Sequence, residues 1–276
     1  MGRDAYDAPM TRALPLGCAA LLAVAGCKAR EAPEAPLTYD GSTAIGKQVL
    51  AEAIPAFERA TPHRFARIGE SGTGKGVKAA LAGEVSVAGV TRSLTAEELA
   101  QRPYYEIIGY DALGVFVNAA NSSRGLTKAK LKLALTGRVR SWKELGGEDR
   151  PVVVCTEHLD SGRATVEAVR TIALDGAEYG AVRELDDPAD CLALVAREPG
   201  AITAATVAYA VPGTRVLSLD GVEPVPANVR SGRYLLSRPM LLVTKDVPVG
   251  ALRDFFDFML SPEGQAIVQK RFIGAR

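Results

Sequence analysis

Three short segments combine glycine with serine or threonine where a predicted strand gives way to a predicted helix. They are Gly41-Ser42-Thr43, Ser71-Gly72-Thr73-Gly74 and Asp160-Ser161-Gly162. The first backbone N–H groups of a helix lack an intrahelical acceptor, and the helix dipole adds partial positive charge there. Hydroxyls supply further donors and glycine allows close backbone approach, so each segment is suited to anion binding. One such segment alone would favour an ordinary N-cap, whereas three in one chain favour an anion site.

Other kinds of chemistry are poorly supported by the same residues. The segment 69–76 follows the phosphate-binding loop of nucleotide hydrolases up to its lysine, but Gly76 stands where Ser or Thr must hold Mg²⁺. His158, Asp160 and Ser161 are too close in sequence to form a catalytic triad. The chain has only two histidines and no outstanding acidic pair. We therefore expect no enzyme activity, no metal and no cofactor.

Short apolar runs alternate with helical patterns around these segments, which is typical of an α/β protein. The predicted strands are 37–39, 65–69, 85–90, 106–110, 113–117, 152–155, 202–205, 216–217 and 240–244. The predicted helices are 45–60, 76–82, 96–99, 128–135, 164–174, 188–197 and 250–260 continuing into 262–271.

The composition is that of an ordinary globular protein. The 276 residues include 33 Lys and Arg against 32 Asp and Glu, and 47% are hydrophobic. A net charge of +1 without a basic tract argues against a nucleic-acid partner. The length accommodates one large core or two lobes.

The N-terminal residues 1–26 are predicted to be a signal peptide. A positive start at Arg12 precedes an apolar run of roughly 14 residues, shorter than the ~20 that cross a bilayer. Val24-Ala25-Gly26-Cys27 resembles the lipobox of bacterial lipoproteins, in which the cysteine is acylated, so Cys27 is the predicted lipidation site. Cleavage elsewhere is the alternative, and the start codon is Met1 or Met10. Residues 27–37 are predicted to tether an exported, membrane-anchored lipoprotein that faces the periplasm or the cell surface.

Cys155 and Cys191 are the two cysteines downstream of this tether. An exported protein meets an oxidising environment, so a disulfide between them is one expectation. Two separate buried thiols are the other, because the sequence does not reveal whether their Cα atoms approach each other.

Several further motifs occur in an order that resembles one protein family. From Thr38 to its C-terminus, the chain resembles the substrate-binding proteins of phosphate ABC transporters (PstS-like), which have the type II periplasmic-binding-protein fold. The loops at Ser42 and Ser71 are part of this resemblance. The motifs that carry the resemblance are 77–83, 89–94, 135–142 with Gly146-Gly147, 234–239 and 255–265.

The resemblance implies a PBP-like domain over 38–276, an α/β clamshell whose two lobes are joined by two hinge crossovers. Lobe 1 would comprise 38–110 plus 238–276, and lobe 2 would comprise 111–237. The expected ligand is inorganic phosphate or a similar oxyanion, presented by a monomer to the membrane subunits of an ABC permease. The expected ligand-binding residues are Ser42, Thr43, Ala44, Ser71, Gly72, Thr73, Thr91, Arg92, Ser161, Gly162 and Arg163.

The chain also departs from the family pattern. Glu157 stands where the family has arginine, Arg163 stands where it has threonine, and Thr203-Ala204 replaces Gly-Tyr. A carboxylate at position 157 would repel phosphate unless it turned outward or paired with Arg163, whereas Arg92 offers a cation that can contact an oxyanion bidentately. The alternative function is therefore a divergent sensor or interaction lipoprotein that no longer binds phosphate.

Overall fold

The computed structural model describes residues 35–160 and 163–276. The predicted signal peptide, Cys27, most of the predicted tether, and Ser161 and Gly162 lie outside the described residues. None of the helices in the described part of the chain combines the length and hydropathy needed to cross a bilayer.

The strands β1 to β11 are Leu37–Gly41, Phe65–Ile68, Val87–Val90, Tyr104–Asn118, Gly125–Leu126, Val153–Glu157, Arg183–Leu185, Ala201–Thr206, Thr214–Leu219, Ser237–Thr244 and Ile273–Gly274. The α-helices α1 to α11 are Thr43–Ile45, Ala51–Ala60, Thr73–Ala82, Ala96–Ala100, Lys128–Leu135, Trp142–Leu145, Ala164–Ile172, Pro188–Arg197, Pro226–Arg230, Gly250–Leu260 and Pro262–Gln269. A π-helical turn, Gly46–Leu50, joins α1 to α2, and a 3₁₀ turn spans Val207–Tyr209.

The main path of the sheet runs in the order β2-β1-β3-β10-β4-β8-β6-β7. At one end β1 pairs in parallel with β2 and β3, and at the other β6 pairs in parallel with β7 and β8. The long strands β4 and β10 pair antiparallel between these two groups. The apolar core divides in the same way, with one cluster around Phe57 and Phe255 and another around Trp142 and Leu131. The expected two-lobed α/β architecture is confirmed.

The separate strands predicted at 106–110 and 113–117 are wrong, because β4 runs without interruption over Tyr104–Asn118. An unpaired carboxylate at Asp111 would be costly inside such an apolar strand. In the structure Asp111 is 2% exposed and lies opposite Arg238 of β10, so its charge is paired and the strand continues. The helices predicted at 128–135, 188–197 and 250–260 have the predicted bounds. The short elements β5, β7, β11, α6 and α9 were not predicted.

Cys155 of β6 and Cys191 of α8 form a disulfide with their Cα atoms 5.6 Å apart. Both residues are 1% exposed. The bond therefore ties the strand that leads to the loop at residue 161 to the helix packed behind it.

Helix α3 approaches β1 unusually closely at Gly76. A Cβ atom at this position would lie 2.4 Å from the Cα of Gly41, well inside van der Waals contact. The glycine that breaks the nucleotide-binding pattern therefore has a packing role, because it allows α3 to lie against β1.

Gly76→Ala is expected to lower the free energy of unfolding by about 1–3 kcal/mol, because the added methyl group must push α3 away from β1. Gly74→Ala is the matched control, since it lies in the same helix with no atom within 4 Å of the added Cβ. Urea denaturation measures both. A Gly76→Ala protein as stable as the Gly74→Ala protein would contradict this packing role.

Candidate functional site

The loops that follow β1, β2 and β3 meet at one edge of the sheet. These strands are parallel neighbours, so their carboxyl ends point the same way. Ser42 follows β1, Thr73 opens α3 after β2, and Thr91 follows β3. The Ser42 hydroxyl lies 3.3 Å from Thr91 Oγ1, which lies 3.4 Å from Thr73 Oγ1. We call Ser42, Thr73 and Thr91 the hydroxyl trio.

Ser71 serves the site differently from these three residues. Its hydroxyl donates to Asp40 Oδ2 at 2.8 Å, and its N–H donates to Asp40 Oδ1 at 2.9 Å. The N–H of Gly41 donates to the same Oδ1 at 2.7 Å. Burial alone would raise the pKa of Asp40, but these hydrogen bonds outweigh it and hold that pKa below its ordinary value. Asp40 thus links the loop at Ser71 to the end of β1 through these hydrogen bonds.

The other predicted residues of these loops flank the hydroxyl trio. Thr43 begins α1 and is exposed, and Ala44 beside it is half-buried. Gly72 is the N-cap of α3 with a φ of 95°, a left-handed conformation that favours glycine. The N–H groups of the first turn of α3 have no intrahelical acceptor and lie beside Thr73.

Arg92 borders the site, but its guanidinium is already paired. It donates two hydrogen bonds of 2.8 Å to the carboxylate of Glu98 and a third, of 2.9 Å, to the carbonyl of Ser93. The hydrogen bond from Arg92 holds the pKa of Glu98 below its ordinary value. Glu98 also closes a capping box with Thr95 at the start of α4. Arg92 is therefore held in a fixed position by the residues of its own loop.

A cavity of about 480 Å³ lies beside the hydroxyl trio. One wall comes from the loops after β2 and β3, the opposite wall comes from α7, and the floor comes from the start of β10. The residues that line it are Thr73, Thr91, Arg92, Ser93, Ala164, Glu167, Ala168, Thr171, Ile172, Ser237, Arg238 and Pro239.

Of the twelve lining residues, sequence reasoning named only Thr73, Thr91 and Arg92, and Arg238 is the cationic residue that it missed. Its Nε and Nη2 donate to Asp111 Oδ2 at 3.0 and 2.7 Å, and its Nη1 donates to the carbonyl of Ala164 at 3.0 Å. Asp111 also accepts a hydrogen bond of 3.1 Å from the Thr206 hydroxyl. The available signal was Asp111 itself, an acid within an apolar strand pattern, which requires a buried cationic or hydrogen-bonding partner.

The loop after β6 supplies the other side of the predicted site. Arg163 is the N-cap residue of α7, and its guanidinium lies 3.5 Å from the carboxylate of Glu157 and 3.2 Å from the carbonyl of Asp186. Burial raises the pKa of Glu157, the charge of Arg163 opposes this rise, and the charge of Asp187 adds to it. Of the two outcomes foreseen for Glu157, the structure has the ion pair with Arg163 rather than an outward-turned carboxylate. Ser161 and Gly162, between these residues, lie outside the described part of the chain.

Glu157→Gln is expected to raise the melting temperature at pH 7, with a gain that shrinks towards pH 4. A carboxyl with a raised pKa holds more protons in the folded than in the unfolded chain. The free energy of unfolding therefore falls as pH rises from the ordinary value of 4.5 through the folded pKa. The glutamine side chain does not titrate, so the variant does not lose this part of the free energy of unfolding as pH rises.

Thermal unfolding between pH 4 and pH 8 measures the effect, with Glu223→Gln, at an exposed glutamate, as the control. A Glu157→Gln protein that melts below the wild type at every pH would show that the ion pair with Arg163 outweighs the cost of burying the carboxylate.

The site is equipped to bind an anion. It offers hydroxyls and helix-start N–H groups, which are donors that an oxyanion requires. Two arginines, each paired with a carboxylate, line the adjoining cavity. Within residues 35–160 and 163–276, no group of three or more His, Cys, Asp or Glu side chains is placed to hold a metal ion.

A family model described as the PBP superfamily domain matches residues 28–263. The chain is 29% identical to the phosphate-binding protein PstS of Bacillus subtilis over 244 residues, which cover 86% of this chain and 79% of that protein. A Clostridium perfringens protein named as a phosphate ABC transporter substrate-binding protein, solved with bound phosphate, is 30% identical. That match covers 88% of this chain and 100% of the other, with a TM-score of 0.67.

The crystal structure of PstS from Borrelia burgdorferi matches with a TM-score of 0.78 at 22% identity, over 87% of this chain and 99% of that chain. At this identity the likeness concerns the fold, and it agrees with the two-lobed α/β arrangement. The fold expected from the sequence motifs, that of the type II periplasmic-binding proteins, is confirmed.

Proposed function

This chain belongs to the PBP superfamily, and from that membership and the geometry of its cleft we propose that it captures inorganic phosphate or a similar oxyanion for an ABC importer. The similar proteins from Bacillus subtilis and Clostridium perfringens are named for phosphate binding and transport, not for catalysis. We accordingly propose a binding function without enzyme activity.

The observation that carries the proposal is the hydroxyl trio at the carboxyl ends of three adjacent parallel strands. Ser42, Thr73 and Thr91 come from three separate loops, yet successive hydroxyls lie within 3.4 Å of each other. Converging hydroxyls beside helix-start N–H groups match the several acceptor atoms of a tetrahedral oxyanion. Micromolar affinity needs about 8 kcal/mol, and hydrogen bonds to a charged group contribute about 1.5–3 kcal/mol each before association costs.

We assign the remaining predicted residues to supporting roles around this trio. Thr43, Ala44 and Gly72 would offer backbone N–H groups, and Ser71 would position its loop through Asp40. From the opposite lobe, Ser161, Gly162 and Arg163 would close over the anion at the start of α7. Arg92, held by Glu98, would supply positive potential at the rim.

Closure of the clamshell would couple ligand capture to a conformational change. We propose the lobe boundaries 38–110 plus 238–276 and 111–237, which place Thr73 and Thr91 opposite α7. A ligand that contacts both walls favours the closed state, because only that state offers both sets of contacts. The Tyr209 hydroxyl, 3.2 Å from Gln48 Oε1, would link the two lobes in the closed state.

We propose that the protein is an exported monomer anchored through an acylated Cys27 and that it delivers its ligand to permease subunits in the membrane. The lipobox-like segment before Cys27 supports the anchor. Labelling with a radioactive fatty acid tests it, because Cys27→Ala should abolish incorporation, whereas equal labelling of the variant would contradict the proposal.

A panel of oxyanions tests the proposed ligand by thermal unfolding of the purified protein. Phosphate, sulfate, arsenate, molybdate and tungstate are each added at millimolar concentration. If the dissociation constant for phosphate is micromolar, a thousandfold excess adds about 4 kcal/mol to the free energy of unfolding. A rise in melting temperature with phosphate supports the function. No rise with any of the five anions would favour the sensor or interaction protein instead.

A further inference from the structure

The cavity between the lobes has an apolar wall on the side of α7. Ala164, Ala168 and Ile172 line it and are spaced four residues apart, so they lie on one face of the helix. Glu167 and Thr171 border the same face. Inorganic phosphate has no apolar group that could pack against these three side chains.

The cavity is also larger than a single tetrahedral oxyanion requires. Its volume of about 480 Å³ lies within the range of about 300–1,000 Å³ typical of pockets for small organic ligands. At liquid density it would hold about 16 water molecules. An anion seated at Thr73 and Thr91 would leave the length of α7 facing unfilled space.

Each charged side chain that lines the cavity is already paired with an oppositely charged residue outside the lining. Arg92 is paired with Glu98, and Arg238 is paired with Asp111. Glu167, on the α7 wall, receives hydrogen bonds of 2.6 and 2.8 Å from Arg170. A second anionic group along this wall would be repelled by the carboxylate of Glu167. It would also find no arginine among the lining residues that is not already paired with a carboxylate. The unfilled part of the cavity therefore suits an uncharged substituent.

We infer that the cleft accepts phosphorus oxyanions that carry a small uncharged organic substituent. The oxyanion would bind at the hydroxyl trio, and the substituent would lie along Ala164, Ala168 and Ile172. A phosphonate and a phosphate monoester share this chemistry, and both are included in the test. The inference rests on the proposed function, since it uses the same oxyanion site.

Isothermal titration calorimetry of the purified protein with inorganic phosphate, phenylphosphonate and phenyl phosphate tests the inference. Thr171→Trp fills the cavity from an exposed position on α7, and Ala168→Leu fills it from the middle of the wall. Thr165→Trp is the matched control, because Thr165 lies on the same helix but does not line the cavity. The wild type is expected to bind all three anions. The two filling variants are expected to bind the phenyl compounds at least about tenfold more weakly while changing phosphate affinity less than about twofold.

The outcomes separate the two proposals. Phosphate binding without binding of either phenyl compound overturns the inference and leaves the proposed function intact. Equal weakening of phosphate and phenyl compounds by the filling variants, or equal weakening of the phenyl compounds by Thr165→Trp, also overturns the inference. If the protein binds the phenyl compounds but not inorganic phosphate, the inference is supported and the substituted oxyanions replace phosphate as the proposed ligand. No binding of any of the three anions overturns both proposals.

Discussion

Asp111→Ala is expected to lower the free energy of unfolding by about 3–5 kcal/mol, the cost of removing one partner from a buried ion pair. Asp111 is 2% exposed, and Arg238 donates two hydrogen bonds to its Oδ2. The substitution leaves the guanidinium of Arg238 largely buried without its carboxylate. It also deprives the Thr206 hydroxyl of its acceptor.

A double-mutant cycle measured by urea denaturation tests this expectation. Asp111→Ala/Arg238→Met should lose less stability than the sum of the two single changes, because the double variant leaves no unpaired charge. Thr206→Val should cost about 1.5–3 kcal/mol, since it removes one hydrogen bond from a hydroxyl to the charged carboxylate. Additive losses in the cycle would show that the pair contributes no coupling.

The ion pair between Asp111 and Arg238 also links the paired strands β4 and β10 to helix α7. Asp111 and Arg238 lie opposite each other on β4 and β10, the two antiparallel strands between the two parallel groups of the sheet. Arg238 also reaches the carbonyl of Ala164 at the start of α7. The pair therefore fixes the floor of the cleft relative to the helix that forms its far wall.

Thr91→Val is expected to weaken phosphate binding by about tenfold to a hundredfold. Thr91 is the central member of the hydroxyl trio, 3.3 Å from Ser42 Oγ and 3.4 Å from Thr73 Oγ1. Valine keeps the shape of threonine but removes the hydroxyl. A lost hydrogen bond to a charged ligand costs about 1.5–3 kcal/mol, which corresponds to this range.

Calorimetric titration with inorganic phosphate measures the loss, and Thr61→Val is the matched control. Thr61 donates to the carbonyl of Phe57 and does not line the cavity. Its variant should bind phosphate like the wild type. If Thr91→Val binds phosphate within twofold of the wild type, the hydroxyl trio is not the anion site.

Glu157 and Arg163, two residues that depart from the PstS-like pattern, contact each other. The family pattern has an arginine and a threonine at these positions, and a lone carboxylate there would repel an anion. In the structure Arg163 lies 3.5 Å from Glu157 and offsets its charge. The carboxylate of Glu157 is thus charge-paired with the second departing residue, Arg163.

Local patterns in the sequence were sufficient to predict the α/β class and most of the regular elements. Helices at 128–135, 188–197 and 250–260 were predicted with their observed bounds because apolar periodicity is a local property, as are the caps of the first two helices. The loops at Ser42 and Thr73 were found for the same reason, whereas Thr91 was identified through the resemblance to the PstS-like family. The order of the motifs also indicated the family, although the roles of individual residues did not follow from it.

The partner of each polar side chain was decided by the tertiary structure. Ser71 and Thr73 have similar hydroxyls in one loop, yet Ser71 bonds to Asp40, 31 residues away, and Thr73 contacts Thr91. Asp111 and Arg238, separated by 127 residues, meet because β4 and β10 pair in one register. The residue types and their spacing thus determined that the chain carries loops of glycine, serine and threonine suited to an anion. Strand order and register, which depend on long-range contacts, decided which hydroxyls converge on the cleft and which hold the loops in place.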